Sequence, residues 1–276
     1  MSQNPIGDMI ERQSFSNAIA VLIFVTLLLF GCSDSSTDSN QRTEGYRLIW
    51  EDNFDGNSLS TNNWSFQIGT GTEYGLNGWG NNELQYYTDR QKNVFVENGY
   101  LTIQAHKESI NGQPYTSARI VTKDKNYWKY GKIEIRAKMP ETQSIWPAIW
   151  MLPQENRFGN WPASGEIDIM ELLGHQPDVV HGTVHYGNSF NDKGSSSGVV
   201  KSGESTFAED FYVYSIEWDQ RGIQWLLNGE PYHEVTPEDV NPFKWPFDEP
   251  FYLLLNVAVG GNWPGYPDSS TMLPQE

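Results

Sequence analysis

Cysteine is almost missing from this sequence. Cys32 is the only one in 276 residues, so no intrachain disulfide can form and the fold must rest on its core. Positive charge is scarce as well: 18 Lys and Arg stand against 35 Asp and Glu, for a formal net charge of -17. That balance argues against nucleic acid and anionic membrane surfaces as partners, because both need clustered cations. No cysteine cluster has metal-binding spacing, and no resident metal is expected. No long stretch carries helical periodicity. The longest apolar run, residues 18–30, has 13 residues, too few for a spanning helix of about 20.

That run suits the core of a signal peptide. It ends in Leu28-Leu29-Phe30-Gly31-Cys32, which resembles the cleavage box of bacterial lipoproteins, where the cysteine becomes the lipidated N-terminus. Residues 1–32 are therefore expected to be a lipoprotein signal peptide with Cys32 as the lipidation site. The mature protein would be exported and membrane-anchored in a bacterial cell envelope, periplasmic or at the cell surface. Residues 33–44 (SDSSTDSNQRTE) contain no large apolar side chain and read as a disordered polar tether. The remaining residues, 45–276, suit one large domain of about 230 residues.

Within that domain the signals are strands and turns. Residues 93–105 alternate on either side of Asn98-Gly99, and residues 222–235 do so around Asn228-Gly229; both read as hairpins. Residues 132–138, 212–218 and 252–259 are further strands. Many short strands with Gly- and Pro-rich turns predict an all-β sandwich of two antiparallel sheets. Eleven Trp, fourteen Tyr and thirteen Phe exceed what one core needs, and indole faces also stack on the apolar faces of sugars.

The sharpest chemical signal is Gly165-Glu166-Ile167-Asp168-Ile169-Met170-Glu171. On a helix, Glu166 and Glu171 would point about 140° apart. On a regular strand, Glu166 and Asp168 share a face but Glu171 points away. A β-bulge at Ile169-Met170 would return Glu171 to the face of Glu166. Two carboxyls there, about 5–6 Å apart, suit a retaining glycosidase, with one attacking the anomeric carbon and the other shuttling a proton. Asp168 between them would push their pKa values apart. A solvated acidic strand or a metal site would produce the same pattern.

This segment, preceded by Trp161-Pro162-Ala163-Ser164, resembles the active-site motif of glycoside hydrolase family 16, in its laminarinase (endo-β-1,3-glucanase) branch. Further matching motifs run in order over about 220 residues: Gly78-Trp79-Gly80-Asn81-Asn82-Glu83-Leu84-Gln85-Tyr86-Tyr87, Ser117-Ala118-Arg119, Tyr130-Gly131-Lys132-Ile133-Glu134, Trp146-Pro147-Ala148-Ile149-Trp150-Met151-Leu152-Pro153, His181-Gly182-Thr183-Val184-His185-Tyr186-Gly187, and Leu255-Asn256-Val257-Ala258-Val259-Gly260-Gly261-Asn262-Trp263-Pro264-Gly265. The resemblance implies a concanavalin A-like β-jelly-roll, with Glu166 as nucleophile, Glu171 as general acid/base and Asp168 as their helper. It implies that Trp161 lies beside the sugar at the cleavage point and that Asn82, Arg119, Trp146, Trp150 and His185 lie near the cleft. The expected partner is a β-1,3-glucan, with the chain acting as a monomer and needing no cofactor.

Mixed-linkage glucan, agarose and carrageenan are alternative substrates, transglycosylation an alternative outcome, and non-catalytic glucan binding an alternative role. Met170 counts against mixed-linkage specificity, since such members usually lack a residue there. Sulfated substrates would favour basic side chains around the cleft, and only Arg90 and Arg119 stood out as candidates. Two departures from the family pattern carry expectations. Relatives continue into a last strand beyond the position of Glu276, so a C-terminal strand is missing and one sheet edge should lie open. Many relatives hold a structural calcium through a glutamate where Asn53 stands here and an aspartate in that last strand, which weakens the case for calcium.

Overall fold

A computed structural model describes residues 45–276. The proposed signal peptide (1–32), with Cys32, and the tether (33–44) lie outside the described residues. In chain order the strands are β1 (Ser65–Phe66), β2 (Gln85–Tyr87), β3 (Val94–Glu97), β4 (Tyr100–Ile103), β5 (Tyr115–Ser117), β6 (Arg119–Val121), β7 (Gly131–Ala137) and β8 (Ile145–Pro153). They continue with β9 (Glu166–Leu172), β10 (Val179–Ser189), β11 (Asp192–Lys201), β12 (Tyr212–Asp219), β13 (Gly222–Leu227), β14 (Glu230–Val235) and β15 (Phe251–Val259). The helical elements among the described residues are two 3₁₀ turns, Thr72–Tyr74 and Asn77–Gly80.

A seven-stranded sheet runs β1-β6-β15-β8-β9-β10-β11, and a four-stranded sheet runs β14-β13-β12-β7. All neighbours in both are antiparallel. This is the expected jelly-roll sandwich, with two additions: a parallel pair, β2 with β5, and the separate hairpin of β3 with β4. Both hairpins anticipated from Asn-Gly pairs form. Asn98-Gly99 and Asn228-Gly229 have φ of 54°, 79°, 51° and 84°, the positive values that a two-residue turn requires and that Asn and Gly tolerate.

One core lies between the two sheets. The large sheet sends in Ile149 and Met151 from β8, Ile167, Ile169, Met170 and Leu172 from β9, and Val180 and Val184 from β10. The small sheet answers with Ile216 and Trp218 from β12 and Ile223 and Trp225 from β13. Trp218 and Trp225 are both fully buried, and each indole N–H has an acceptor: the Phe247 carbonyl at 2.8 Å and the Asp168 carbonyl at 2.8 Å. The aromatic surplus is thus partly core, with the polar edge of each ring satisfied. Among the described residues β7 pairs only with β12, and its Ile133, Ile135 and Ala137 are half-buried rather than buried.

The sequence reading did not anticipate β10 and β11 as a long hairpin. β11 reads Asp192-Lys193-Gly194-Ser195-Ser196-Ser197-Gly198-Val199-Val200-Lys201, a composition depleted in strand formers. Two of its glycines answer to close packing. A Cβ at Gly194 would lie 2.7 Å from the Tyr186 ring, and one at Gly198 would lie 2.3 Å from His233 Cβ on β14. Gly182 on β10 is comparably tight, since a Cβ there would meet Trp225 Cδ1 at 2.4 Å and the Tyr232 hydroxyl at 2.5 Å. Gly182→Ala must push apart the sheets beneath the carboxyl-bearing strand. Overpacking of this kind costs about 1–3 kcal/mol, so the expected result is a fall in melting temperature of roughly 2–10 °C for a domain of this size. An unchanged melting curve would show that the two sheets are not this closely packed.

Candidate active site

Strand β9 breaks register at one place. On β8, Ala148 and Trp150 are two residues apart, yet they face Glu171 and Asp168, which are three apart. On β10, His181, Thr183 and His185 lie at intervals of two, and they face Glu171, Asp168 and Glu166. Alternate residues of a regular strand share a face, so their partners Glu166, Asp168 and Glu171 share one too. The surplus residue is Ile169. Both Ile169 and Met170 turn into the core, at 1% and 0% exposure. The bulge therefore adds a second apolar side chain to the core while it re-aims Glu171 outward.

The carbonyl just before the surplus residue, that of Asp168, accepts the Trp225 N–H across the sandwich. Gly182, opposite the bulge, leaves the space through which this indole reaches. The bend is thus fixed from the far sheet, by a residue that no motif in the sequence singled out.

Each glutamate holds an indole N–H. Trp161 Nε1 donates to Glu166 Oε2 at 3.0 Å, and Trp146 Nε1 donates to Glu171 Oε1 at 3.1 Å. Asp168 has no such donor. Its Oδ2 is buried without a hydrogen bond and faces His185 Nε2 at 3.4 Å, while the same nitrogen lies 3.8 Å from Glu166 Oε1. Aromatic rings wall both ends of the trio. Trp263 meets Trp146 edge-on at 5.5 Å and His181 at 5.0 Å. Trp161 packs against His185 and against Phe190, and Lys193 Nζ sits 4.3 Å from the Trp161 ring and 4.0 Å from that of Phe190.

The remaining expected residues are placed differently from one another. Trp150 is half-buried on the same face, with Nε1 donating to Asn256 Oδ1 at 2.8 Å. Arg119 is buried, at 5% exposure, with its guanidinium between the rings of Trp79 (4.5 Å) and Trp150 (4.7 Å) and its Nε donating to Gln67 Oε1 at 2.6 Å. It braces the two indoles rather than presenting its charge to solvent. Asn82 is exposed and donates to Asn262 Oδ1 at 2.9 Å, tying the 81–87 segment to the loop carrying Trp263. A recess of about 240 Å³ opens beside Asn82, lined by Glu83, Gln113 and Tyr266 among others but by none of the three carboxyl residues. The other open arginine, Arg90, is engaged by Glu108, Asn93 and Thr116.

Sequence reasoning singled out neither Asn256 nor Trp263, although both stand in a quoted motif, and it also passed over Glu83. Glu83 accepts hydrogen bonds from Asn81, Gln85 and Tyr87, and burial raises its pKa against the opposing charge of Arg119. The residues at the first-strand end of the position where relatives hold calcium are engaged elsewhere. Asp52 spends Oδ1 on the Phe54 N–H and Oδ2 on Asn63 and Trp64, and Asn53 brings no charge. No trio of carboxylate or histidine donors gathers there among the described residues. These groups do not fit a cation that wants six to eight oxygens.

Burial dominates the protonation of the trio. It pushes Glu166 up from 4.5 to about 8, helped by the Asp168 charge and opposed by His185, the Trp161 hydrogen bond and Arg119. Burial raises Asp168 too, and it raises Glu171 well above the ordinary range, with the charges of Asp168 and Glu166 adding to the effect. Between 4.5 and about 8 the folded Glu166 holds a proton that the unfolded chain has released. The native state then binds more protons than the unfolded one, so stability falls as pH rises through that window. Asp168→Asn removes one of these buried charges. The melting temperature of this variant is expected to exceed that of the native protein at pH 7–8, with the advantage shrinking as pH falls toward the ordinary carboxyl range of about 4. A melting difference independent of pH would contradict this account.

Comparison with known proteins agrees with this geometry. The family model described as Glycosyl hydrolases family 16 matches residues 81–272. A beta-glucanase of Rhodothermus marinus is 41% identical over 254 residues, covering 88% of this chain and 85% of that protein. Glucan endo-1,3-beta-glucosidase A1 of Niallia circulans is 41% identical over 249 residues, covering 83% of this chain, which spans only 36% of that longer relative. Among solved structures, the laminarinase catalytic domain from Thermotoga maritima MSB8 superposes with a TM-score of 0.79 at 47% identity, covering 84% of this chain and 94% of the other. A bulged strand presenting three carboxyls between indole walls, and a family match spanning most of the domain, place this chain in glycosyl hydrolase family 16.

Proposed function

We propose that this protein is an endo-acting, retaining glycoside hydrolase that cleaves β-1,3-glucan by double displacement. The observation that carries the proposal is the shared face of Glu166, Asp168 and Glu171, together with their unequal surroundings. Glu166 keeps 17% of its side chain exposed against 3% for Asp168. Three groups oppose the rise in its pKa, namely His185, Trp161 and Arg119. Glu171 is more strongly raised, with His185 and Trp146 opposing. Glu166 is therefore the member of the glutamate pair that ionises first, as a nucleophile must, and Glu171 keeps the proton that a leaving oxygen needs.

In the first step the Glu166 carboxylate attacks the anomeric carbon, and Glu171 gives its proton to the glycosidic oxygen as that bond breaks. In the second, Glu171 takes a proton from water, the water oxygen attacks the same carbon, and Glu166 leaves. Trp161 holds Glu166 Oε2 and leaves Oε1 for attack. Asp168, between the two, makes it costly for both glutamates to be charged together. These steps use carboxyl groups and water alone.

The choice of β-1,3-glucan rests on the glucan endo-1,3-beta-glucosidase and laminarinase relatives. The engagement of Arg90 and Arg119 within the protein supports an uncharged substrate. Digestion of laminarin, mixed-linkage glucan, agarose and carrageenan separates the possibilities. Short β-1,3 oligosaccharides released from laminarin, first as the β-anomer, are expected. Glu171→Gln should lower kcat by about 10²–10⁴-fold, and Glu166→Gln by at least as much, each without loss of fold. Near-native hydrolysis by either variant, or α-anomers released first, would overturn the assignment.

We also propose that the protein acts as a monomer at a bacterial membrane, anchored through lipidated Cys32 and reaching its substrate on the 33–44 tether. The support is the apolar run ending in Leu28-Leu29-Phe30-Gly31-Cys32. Cys32→Ala is expected to move the protein from the membrane fraction to the soluble fraction. Unchanged membrane recovery would refute the anchor.

A further inference from the structure

Three donor atoms converge on one point in the cleft. His185 Nε2 lies 3.8 Å from Glu166 Oε1 and 3.4 Å from Asp168 Oδ2, and the ligand atoms of the three residues fall within 4.8 Å of one another. Zinc takes imidazole nitrogen and carboxylate oxygen at about 2.0–2.2 Å in a tetrahedral shell. The edge of a tetrahedron is about 1.63 times the distance from its centre to a corner, so bonds of about 2.1 Å put neighbouring ligand atoms about 3.4 Å apart. One edge of this triangle already has that length, and a second exceeds it by a few tenths of an ångström.

Acidic side chains gathered on a surface do not by themselves make a site, but two further features set this group apart. Asp168 Oδ2 is aimed into the triangle from a side chain that is 3% exposed, and it accepts no hydrogen bond. An acceptor stranded in this way costs about 1–3 kcal/mol, and a cation would relieve it. Glu166 is also pre-oriented, because Trp161 holds Oε2 and leaves Oε1 turned toward His185.

We propose that Glu166, Asp168 and His185 form a three-ligand site for a zinc-like divalent cation and that occupancy blocks the enzyme. The donor set chooses the ion. One imidazole with two carboxylates suits Zn²⁺ or Cu²⁺, whereas Ca²⁺ and Mg²⁺ require six or more oxygens or an octahedral, largely hydrated shell. The bound ion takes Glu166 Oε1, the oxygen freed for attack, and water completes the shell. A saccharide seated at Glu166 and a cation bound there exclude each other, so inhibition is competitive with substrate. That inhibitory sense rests on the hydrolase reading, whereas binding of the ion does not.

The test uses the full chain without substrate first. Titration with Co²⁺ is expected to give the intense visible bands of a tetrahedral centre, which Zn²⁺ abolishes by displacement. His185→Ala and Asp168→Asn should each lose these bands and bind Zn²⁺ at least about tenfold more weakly. In assays on laminarin, Zn²⁺ should raise KM and leave kcat unchanged, with recovery on adding a chelator. The proposal is overturned by a pale octahedral cobalt spectrum, by unchanged Zn²⁺ affinity in both variants, or by inhibition that lowers kcat alone. Tetrahedral cobalt binding that depends on His185 and Asp168, in a protein that cleaves no polysaccharide, would uphold the site and reject the hydrolase reading.

Discussion

One surplus residue in β9 determines where three carboxyl groups point. Without the bulge at Ile169, Glu171 would be turned into the core, where a bare carboxylate costs several kcal/mol. With it, Ile169 and Met170 both enter the core and Glu171 joins Glu166 and Asp168 on the outer face. The bend is braced from the opposite sheet. The Trp225 indole crosses the core to the Asp168 carbonyl, and it can do so only because Gly182 has no side chain. Core packing and site geometry are therefore the same arrangement seen from two faces of one sheet.

The electrostatics follow from that placement. Three carboxyls packed side by side resist being charged together: burial raises the pKa of each, and neighbouring carboxylate charge adds to the rise at Glu166 and Glu171. Indole N–H groups from Trp161 and Trp146 and the nearby His185 decide how the remaining charge is shared. A site built in this way works against the stability of the domain at neutral pH, a common cost of arranging groups for chemistry.

Much of this was legible in the sequence. Asn98-Gly99 and Asn228-Gly229 declare hairpins because few other pairs tolerate two positive φ values. The spacing of Glu166, Asp168 and Glu171 demands a bulge once one assumes that all three act together. What escaped depends on partners distant in sequence. Strand β11 hides behind serines and glycines whose reason, the close approach of Tyr186 and His233, appears only in three dimensions. Trp225 looks like any core tryptophan until its N–H is seen to end at Asp168. Arg119 reads as a cleft cation, but its guanidinium is enclosed between Trp79 and Trp150. The engagement of Asp52 by Asn63 and Trp64, next to Asn53, could not be foreseen.

The central claim is that the bulge delivers Glu166 as a nucleophile flanked by Asp168 and Glu171. Covalent trapping tests it most directly. The protein would be treated with a β-1,3-linked disaccharide fluoride carrying fluorine at C2 of the reacting sugar, which slows release of the glycosyl-enzyme, and its peptides would be mapped by mass spectrometry. One glycosyl unit attached to Glu166 is the predicted result. A label on Asp168 or Glu171, or the absence of any adduct while hydrolysis of laminarin proceeds, would contradict it.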